Sequence, residues 1–157
     1  MIRWTITQHK YNDYMYMFGL RDFCINQMRY KEINIAYLDE TVTFSKVFFK
    51  DVKKKIKEKG IRFKDRWDRY FIIDNGSHFV CGSFRGHSIL RGRTNNIIIL
   101  NNFNCCSERI KEEMVKAYIP VWASGFSCTT VIVTLDESKP NGKVINDLIK
   151  RYGCSHY

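Results

Sequence analysis

The residues with the clearest bearing on chemistry are two adjacent asparagines that follow an apolar run. Residues 97–104 read "IIILNNFN", so Asn101 and Asn102 end what reads as a buried strand. An Asp-Glu pair in that place could hold Mg²⁺ and polarise an attacking water. An amide takes up no proton at neutral pH and is a weak magnesium ligand. Either a buried strand happens to end in Asn-Asn, or this is a nucleotide site that has lost its chemistry.

A second group of candidates is basic. Lys and Arg outnumber Asp and Glu by 26 to 16, which gives a net charge of +10. Residues 46–69 alone hold eleven basic and four acidic residues. Such a stripe favours polyanions, above all nucleic acid, but a solvated helix face would read the same way. The candidate nucleic-acid-binding residues are Lys53, Lys54, Lys57, Arg62, Lys64, Arg66, Arg69, Arg91 and Arg93.

Other chemistry is only weakly indicated. The six cysteines form no CxxC pair. Cys105, Cys106, Cys154 and His156 could gather a zinc ion, but reduced and mostly buried thiols are the simpler interpretation. None of the four histidines accompanies a Cys or Ser nucleophile signature. We therefore expect no metal site and no catalytic histidine.

Length and composition indicate one globular domain, residues 1–157, with a sizeable core. No apolar run approaches the roughly 20 residues that cross a bilayer. The N-terminal residues "MIRWTITQHKYNDYMYM" lack the features of a signal peptide. We expect a soluble, intracellular protein.

Apolar periodicity predicts alternating strands and helices. Continuous β-branched and apolar runs predict strands at residues 2–7, 33–38, 96–100 and 129–134. Asn75-Gly76, between two further apolar runs, predicts a hairpin. Ser107 should cap a helix whose apolar face holds Ile110, Met114 and Tyr118.

The other three helices are predicted from caps and spacing. The first should begin at Asn12 or Asp13, and the second should end at Gly60. The last should end at Gly153. Their apolar positions are Met15, Phe18 and Phe23 in the first, Val47, Phe48, Val52 and Ile56 in the second, and Val144, Leu148 and Tyr152 in the last.

This order predicts an α/β fold with a mainly parallel sheet, flanking helices and one β-hairpin. Right-handed crossovers should bring the loops after the strands at 2–7, 96–100 and 129–134 to one edge of the sheet.

Several segments, in this order, resemble the ATPase domain of the large terminase subunit, the DNA-packaging motor of tailed phages and related viruses. They are "FIIDNGSHFVCGSFRGHSILRGRTNNIIIL", "VKAYIPVWASGFSCTTVIVT" and "SKPNGKV". The resemblance covers nearly the whole chain and rests on order and spacing rather than on any one motif. It implies a P-loop-NTPase-like fold, in which "NIIIL" is the Walker B strand.

The positions that carry the family's chemistry depart from its pattern. Asn101 and Asn102 stand where the Walker B strand should end in Asp-Glu. In the phosphate-loop region, "TQHKYNDYMYM" has no glycine before Gly19. Its candidates for binding nucleotide are Lys10, the only cation there, with Asn12 and Asp13; Asp13 can instead cap the following helix. The resemblance therefore implies no hydrolysis and no required cofactor, although ATP could bind unhydrolysed. The chain has no room for the nuclease domain of a complete large terminase, so no DNA cleavage is expected.

Three functions remain open. An inactive terminase-like module could assist packaging or pair with an active ATPase subunit, to which Arg85, Arg91 or Arg93 could be offered in trans. A nucleic-acid-binding protein could use the basic segment. A docking module in a viral assembly could fill the vacated site with aromatic side chains, namely Tyr11, Tyr14, Tyr16 and Phe18. DNA and a protein are the expected partners, without a membrane, inside the host cytoplasm or nucleus or in the virion.

Overall fold

The computed structural model describes residues 1–11, 13–85, 87, 90, 94–123 and 128–157. It is an α/β structure with an eight-stranded sheet and helices on both faces. The strands are β1 (Ile2–His9), β2 (Asn34–Asp39), β3 (Phe63–Trp67), β4 (Tyr70–Ile73), β5 (His78–Ser83), β6 (Ile97–Leu100), β7 (Thr129–Asp136) and β8 (Ser155–His156). The helices are α1 (Tyr14–Tyr30), α2 (Val42–Glu58), α3 (Glu108–Glu113), α4 (Ile119–Trp122) and α5 (Gly142–Tyr152).

The strand order is β3-β4-β5-β2-β6-β7-β1-β8. From β5 to β8 all pairs are parallel, whereas β3, β4 and β5 form an antiparallel meander. The predicted mainly parallel sheet is therefore confirmed. The hairpin is also confirmed: Gly76 has φ 91°, and the Ile73 N–H donates to the Ser77 carbonyl at 3.0 Å across the turn.

Strands β3 and β8 were not predicted. β3 consists of "FKDRW", where charged residues hide the alternation of a half-buried strand, and it lies at one edge of the sheet. β8 has two residues and pairs with β1 at the opposite edge.

Two cores cover the two faces of the sheet. α1 and α2 pack on one face through Leu20, Ile25, Phe49 and Val52, and this is called the α1–α2 face below. α4 and α5 pack on the other through residues such as Ile119 and Ile145, and this is called the α5 face.

Several predicted apolar positions face solvent instead. In α1, Met15 is 70% exposed, and Phe18 and Phe23 are also exposed; the buried stripe is Leu20, Cys24, Ile25 and Met28, which occupies the C-terminal two thirds of the helix. Val47 of α2 and Tyr152 of α5 are exposed as well. The core contacts predicted for Val47 and Tyr152 are made by Phe49 and Ile145 instead.

The helix starting after Ser107 is interrupted by a π-helical turn at Met114–Tyr118. Pro120 follows shortly after this turn and has no N–H to continue the helical hydrogen bonds. Within the described chain, no helix is long and apolar enough to span a membrane.

Candidate functional site: the carboxyl edge of the sheet

The strands that could build a nucleotide site end side by side. In the parallel register His9 of β1 lies beside Asp136 of β7, and Leu100 of β6 lies between Val133 of β7 and Leu38 of β2. The loop after β1 and the Asn101-Asn102 turn therefore flank the end of β7, at one edge of the sheet, as the sequence predicted.

Asn101 is the centre of a buried hydrogen-bond chain. Its side-chain N–H donates to Asp39 Oδ2 at 3.0 Å, and its Oδ1 accepts from the Thr134 hydroxyl at 2.8 Å. The Tyr37 hydroxyl donates to the same Asp39 oxygen at 2.9 Å. Asn101 uses both ends of its amide, one as donor and one as acceptor, and a carboxylate could not serve both neighbours. This is the physical role of an amide at this position.

Asp39, at the end of β2, is the carboxylate bonded to this amide, and it was not among the predicted site residues. Burial raises the pKa of Asp39, and the hydrogen bonds from Asn101, the Glu40 N–H and Tyr37 oppose that rise. The Glu40 N–H donates to Oδ1 at 2.7 Å. Because both oxygens of Asp39 accept hydrogen bonds from the protein, the carboxylate is held as part of the core. A buried strand ending in Asp was the only signal for it in the sequence.

Asn102 turns the chain out of β6. It adopts the left-handed conformation, with φ 52° and ψ 46°, which asparagine tolerates better than most residues. Its N–H donates to Thr134 Oγ1 at 2.8 Å, while its side-chain Oδ1 is buried without a hydrogen-bond partner in the described part of the chain. A short 3₁₀ turn, Phe103–Cys105, follows. Asn102 therefore shapes the turn through its backbone.

Asn104 holds this turn to the end of β7, a role that sequence reasoning did not find. Its Oδ1 accepts from the Asp136 N–H at 3.0 Å, and its side-chain N–H groups donate to the carbonyls of Asp136 (2.9 Å) and Lys139 (3.2 Å). Asp136 in turn accepts from the N–H and the hydroxyl of Ser138. The segment after β7 is thus tied down by side chains.

The region expected to hold phosphate contains Lys10 and the capped start of α1. Asp13 caps α1 by accepting from the Tyr16 N–H at 3.1 Å, which confirms it as the helix cap and uses one of the donors that a phosphate would need. Lys10 is exposed, and its carbonyl accepts from the Asp13 N–H at 3.2 Å. Asn12 lies outside the described residues.

Aromatic side chains line the same loop. Tyr16 stacks on His9 with ring centroids 4.4 Å apart, and Tyr157 meets Tyr16 edge-on at 5.1 Å. Burial raises the pKa of Tyr16 to about 12. Tyr11, Tyr14 and Phe18 are exposed to solvent. That they fill the vacated site stays a prediction.

The cysteines beside this edge have raised pKa values. Burial and the nearby Glu40 raise the pKa of Cys105 to about 12, and burial raises that of Cys106 to about 11. These thiols are therefore protonated at neutral pH. No three His, Cys, Asp or Glu side chains of the described chain form a group that could hold a metal ion.

The candidate nucleic-acid-binding residues are divided between two surfaces. Lys53 lies against the α1–α2 face of β3, where its ammonium is 2.7 Å from Asp65 and over the Phe49 and Phe63 rings. Lys54 and Lys57 are exposed on α2, and Arg69 is half-buried. Arg62, Lys64 and Arg66 are exposed along β3, where they border a shallow depression on the sheet edge. Arg91 and Arg93 lie outside the described residues, and Arg85 is exposed.

Comparison with known proteins rests on structure alone. No protein-family model and no curated protein sequence matches the chain. Solved structures do match. The HK97 bacteriophage large terminase aligns with a TM-score of 0.71 and 9% identity, over 97% of this chain and 34% of its own. The Thermus phage P74-26 large terminase ATPase domain gives 0.69 and 12%, over 85% and 60%.

A third match is the large terminase of a thermophilic bacteriophage, with a TM-score of 0.69 and 14% identity over 98% of this chain and 39% of that one. Structures of the same terminase in complex with ADP and with ATP-γ-S match at 0.65 and 0.66. In each comparison this chain spans less than two thirds of the matching protein. The fold predicted from the sequence is confirmed: this chain has the P-loop-NTPase-like fold of the large terminase ATPase domain.

Proposed function

We propose that this protein is a catalytically inactive, terminase-like subunit of a viral DNA-packaging assembly, which assists or regulates packaging beside an active ATPase subunit. The support for a packaging role is the fold, since the solved proteins that match it are named large terminases. The support for inactivity is the arrangement of side chains at the carboxyl edge.

The observation that carries the proposal is the bonding of Asn101. Hydrolysis requires a carboxylate that faces the bound nucleotide and polarises water. At the end of β6 there is an amide, and it is bonded to Asp39 and Thr134 instead. Asp39, the carboxylate bonded to that amide, already accepts three hydrogen bonds from the protein. Neither Asn101 nor Asp39 is therefore free to act as the base.

The loop after β1 gives independent support. A phosphate needs free N–H groups and a positive environment at the start of a helix. Asp13 brings a negative charge to the start of α1 and accepts from the Tyr16 N–H. The residues present therefore do not fit the triphosphate and Mg²⁺ of an active terminase, and we expect neither as a resident cofactor.

The expected partners follow from this role. An inactive ATPase-fold subunit needs a protein partner that hydrolyses ATP, and the assembly as a whole would act on DNA. We place it in the host cytoplasm or nucleus, or in the virion, without membrane contact.

The test is binding of a fluorescent ATP analogue with Mg²⁺, together with ATP turnover on the same preparation. We expect neither. The matched control is Asn101→Asp/Asn102→Glu, which replaces both amides by acids. It should also remain inactive, because Asp13 still occupies the start of α1. Turnover by the natural chain would overturn the proposal. Turnover gained only by the double variant would show that the loop after β1 can bind phosphate after all.

A further inference from the structure

The β3 edge of the sheet carries a second feature, distant from the carboxyl edge just described. From the charge and shape of this edge, we propose that the α5-face side of β3 is a binding site for single-stranded nucleic acid, formed by Arg62, Lys64, Arg66 and Trp67. This site goes beyond the proposed packaging role and does not depend on it.

β3 separates Lys64 and Asp65 between its two faces. In β3, Lys64 is paired with Ile72 of β4, and Asp65 is paired with Phe71. Phe71 belongs to the α1–α2 core, whereas Ile72 packs toward the α5 core. Side chains alternate along a strand, so Lys64 and Asp65 project from opposite faces. Asp65, the acid within the strand, is thus on the other side from Lys64.

Two acids of this segment, Asp65 and Asp68, each pair with a lysine of α2. Asp65 is 2.7 Å from the Lys53 ammonium, and Asp68 is 2.7 Å from that of Lys46. Arg62, Lys64 and Arg66 form no ion pair with any residue that the structure describes. Their charge is available to an external anion.

The shape of this surface also fits a ligand. Arg62, Lys64 and Arg66 border an open depression of about 150 Å³ that also includes Ile72 and one acid, Asp74. Lys64 lies in the regular part of β3, and Arg66 lies where the pairing with β4 shifts by one residue. Lys54, Lys57 and Lys59 are equally exposed, but they lie on the convex surface of a helix.

Trp67 favours a single strand over a duplex. Its side chain is 58% exposed and packs beside Tyr70 with ring centroids 5.9 Å apart. The pairing of β3 with β4 shifts by one residue between Asp65 and Trp67. Trp67 is therefore paired with Tyr70 of the α5 core, and the indole is on the same face as Lys64. An exposed indole beside a row of cations can stack an unpaired base while the cations contact phosphates. A base within a duplex could not stack on it.

The experiment measures the binding of fluorescein-labelled oligothymidylate to the whole chain by anisotropy. Arg62→Gln/Lys64→Gln/Arg66→Gln should weaken binding by at least about tenfold and should reduce the slope of log affinity against log salt by about 2. The matched control, Lys54→Gln/Lys57→Gln/Lys59→Gln, removes the same charge and should weaken binding less than about threefold. Trp67→Ala should weaken binding by about fivefold or more, and Trp67→Phe should restore most of it.

Three results would overturn the proposal. Equal losses in the two triple variants would mean that only net charge matters. Tighter binding of a duplex than of oligothymidylate would exclude a single-strand site. Equal competition by polyglutamate of the same charge would identify a surface for acidic peptides. Since all the altered side chains are exposed, unchanged unfolding midpoints would show that the variants are folded.

Discussion

The carboxyl edge of the sheet and its edge strand β3 use polar residues in different ways. At the carboxyl edge of β6 and β7, Asn101, Asn104 and Thr134 are buried. Asn101 and Thr134 bond to each other, and Asn104 bonds to the backbone of Asp136. At the β3 edge, Arg62, Lys64 and Arg66 extend into solvent without an ion pair in the described chain. The first region resembles an active site in position, but the Asn101 amide and the Asp39 carboxylate there are bonded to other groups of the protein. The second lies in the basic segment that the sequence singled out, and its three cations form no ion pair with described residues.

The difference shows that the position of a residue in a fold does not determine its role. A polar side chain can act on a ligand only if its donors and acceptors are not already satisfied by the protein. The side chain of Asn101 bonds to Asp39 and Thr134 and stabilises the structure. Arg62 forms no ion pair with a described residue, and we propose that it binds nucleic acid.

The largest expected effect comes from Asn101→Leu, which keeps the volume and removes the amide. Asp39 then loses a buried donor and Thr134 loses its acceptor, so the free energy of unfolding should fall by about 3 kcal/mol. Urea denaturation measures it. Asn146→Leu, at an exposed position of α5, is the matched control and should change stability by less than about 0.5 kcal/mol. A similar small change for Asn101→Leu would mean that the chain of hydrogen bonds contributes little.

Asn101→Asp should destabilise the protein by about 2 kcal/mol at neutral pH, because the new carboxylate would lie about 3 Å from that of Asp39 and both cannot ionise there. The loss should shrink as the pH falls, since one added proton restores a donor between them. The measurement is denaturation at neutral and at mildly acidic pH, with Asn146→Asp as the control. A loss that is independent of pH would contradict this explanation.

A smaller, pH-dependent effect is expected from Asp39→Asn. The pKa of Asp39 is raised in the folded protein by burial, so the folded state binds a proton more readily than the unfolded state. Protonation of Asp39 therefore increases the free energy of unfolding as the pH falls from the raised pKa of the folded state toward the ordinary pKa near 3.8 of the unfolded state. The stability of the natural chain relative to Asp39→Asn should rise over that range. A relative stability that falls on acidification would reverse the sign of the predicted shift.

The smallest effect on stability is expected at the β3 edge. Asp65→Asn removes the partner of Lys53 in an exposed ion pair, which contributes about 0.5 kcal/mol or less. The same change frees a cation on the α1–α2 face, so oligothymidylate affinity should rise no more than about twofold. Anisotropy and urea denaturation on the one variant test both statements. A large gain in affinity would place the binding surface on α2 instead.

The sequence predicted the parts of this structure that depend on apolar patterns and local caps. "NIIIL" and "TTVIVT" became adjacent parallel strands, and Asp13, Ser107 and Asn75-Gly76 took the cap and turn positions expected of them. These features are encoded within a few residues of each other. The charged residues of β3 hid this strand from prediction. It lies at the edge of the sheet, and of its five residues only Phe63 packs on the core.

The side-chain pairs at the candidate site could not be predicted in the same way. Asn101 and its partner Asp39 are 62 residues apart, and Asn104 and Asp136 are 32 apart. Register between strands decides such contacts, and it depends on the packing of the whole sheet. The sequence could show that Asn101 lacks a carboxylate; only the fold shows what the amide bonds to.

The most direct test of the comparison is the ¹⁵N NMR spectrum of the natural chain, recorded with Mg-ATP and then with oligothymidylate. We predict that Mg-ATP shifts neither the Asn101 side-chain amide nor the backbone amides of Lys10 and Tyr14. We predict that oligothymidylate shifts the amides of Arg62 to Trp67 and leaves Asn101 unchanged. Shifts of Asn101 and Lys10 by Mg-ATP would contradict the central claim, because the carboxyl edge would then be a working nucleotide site.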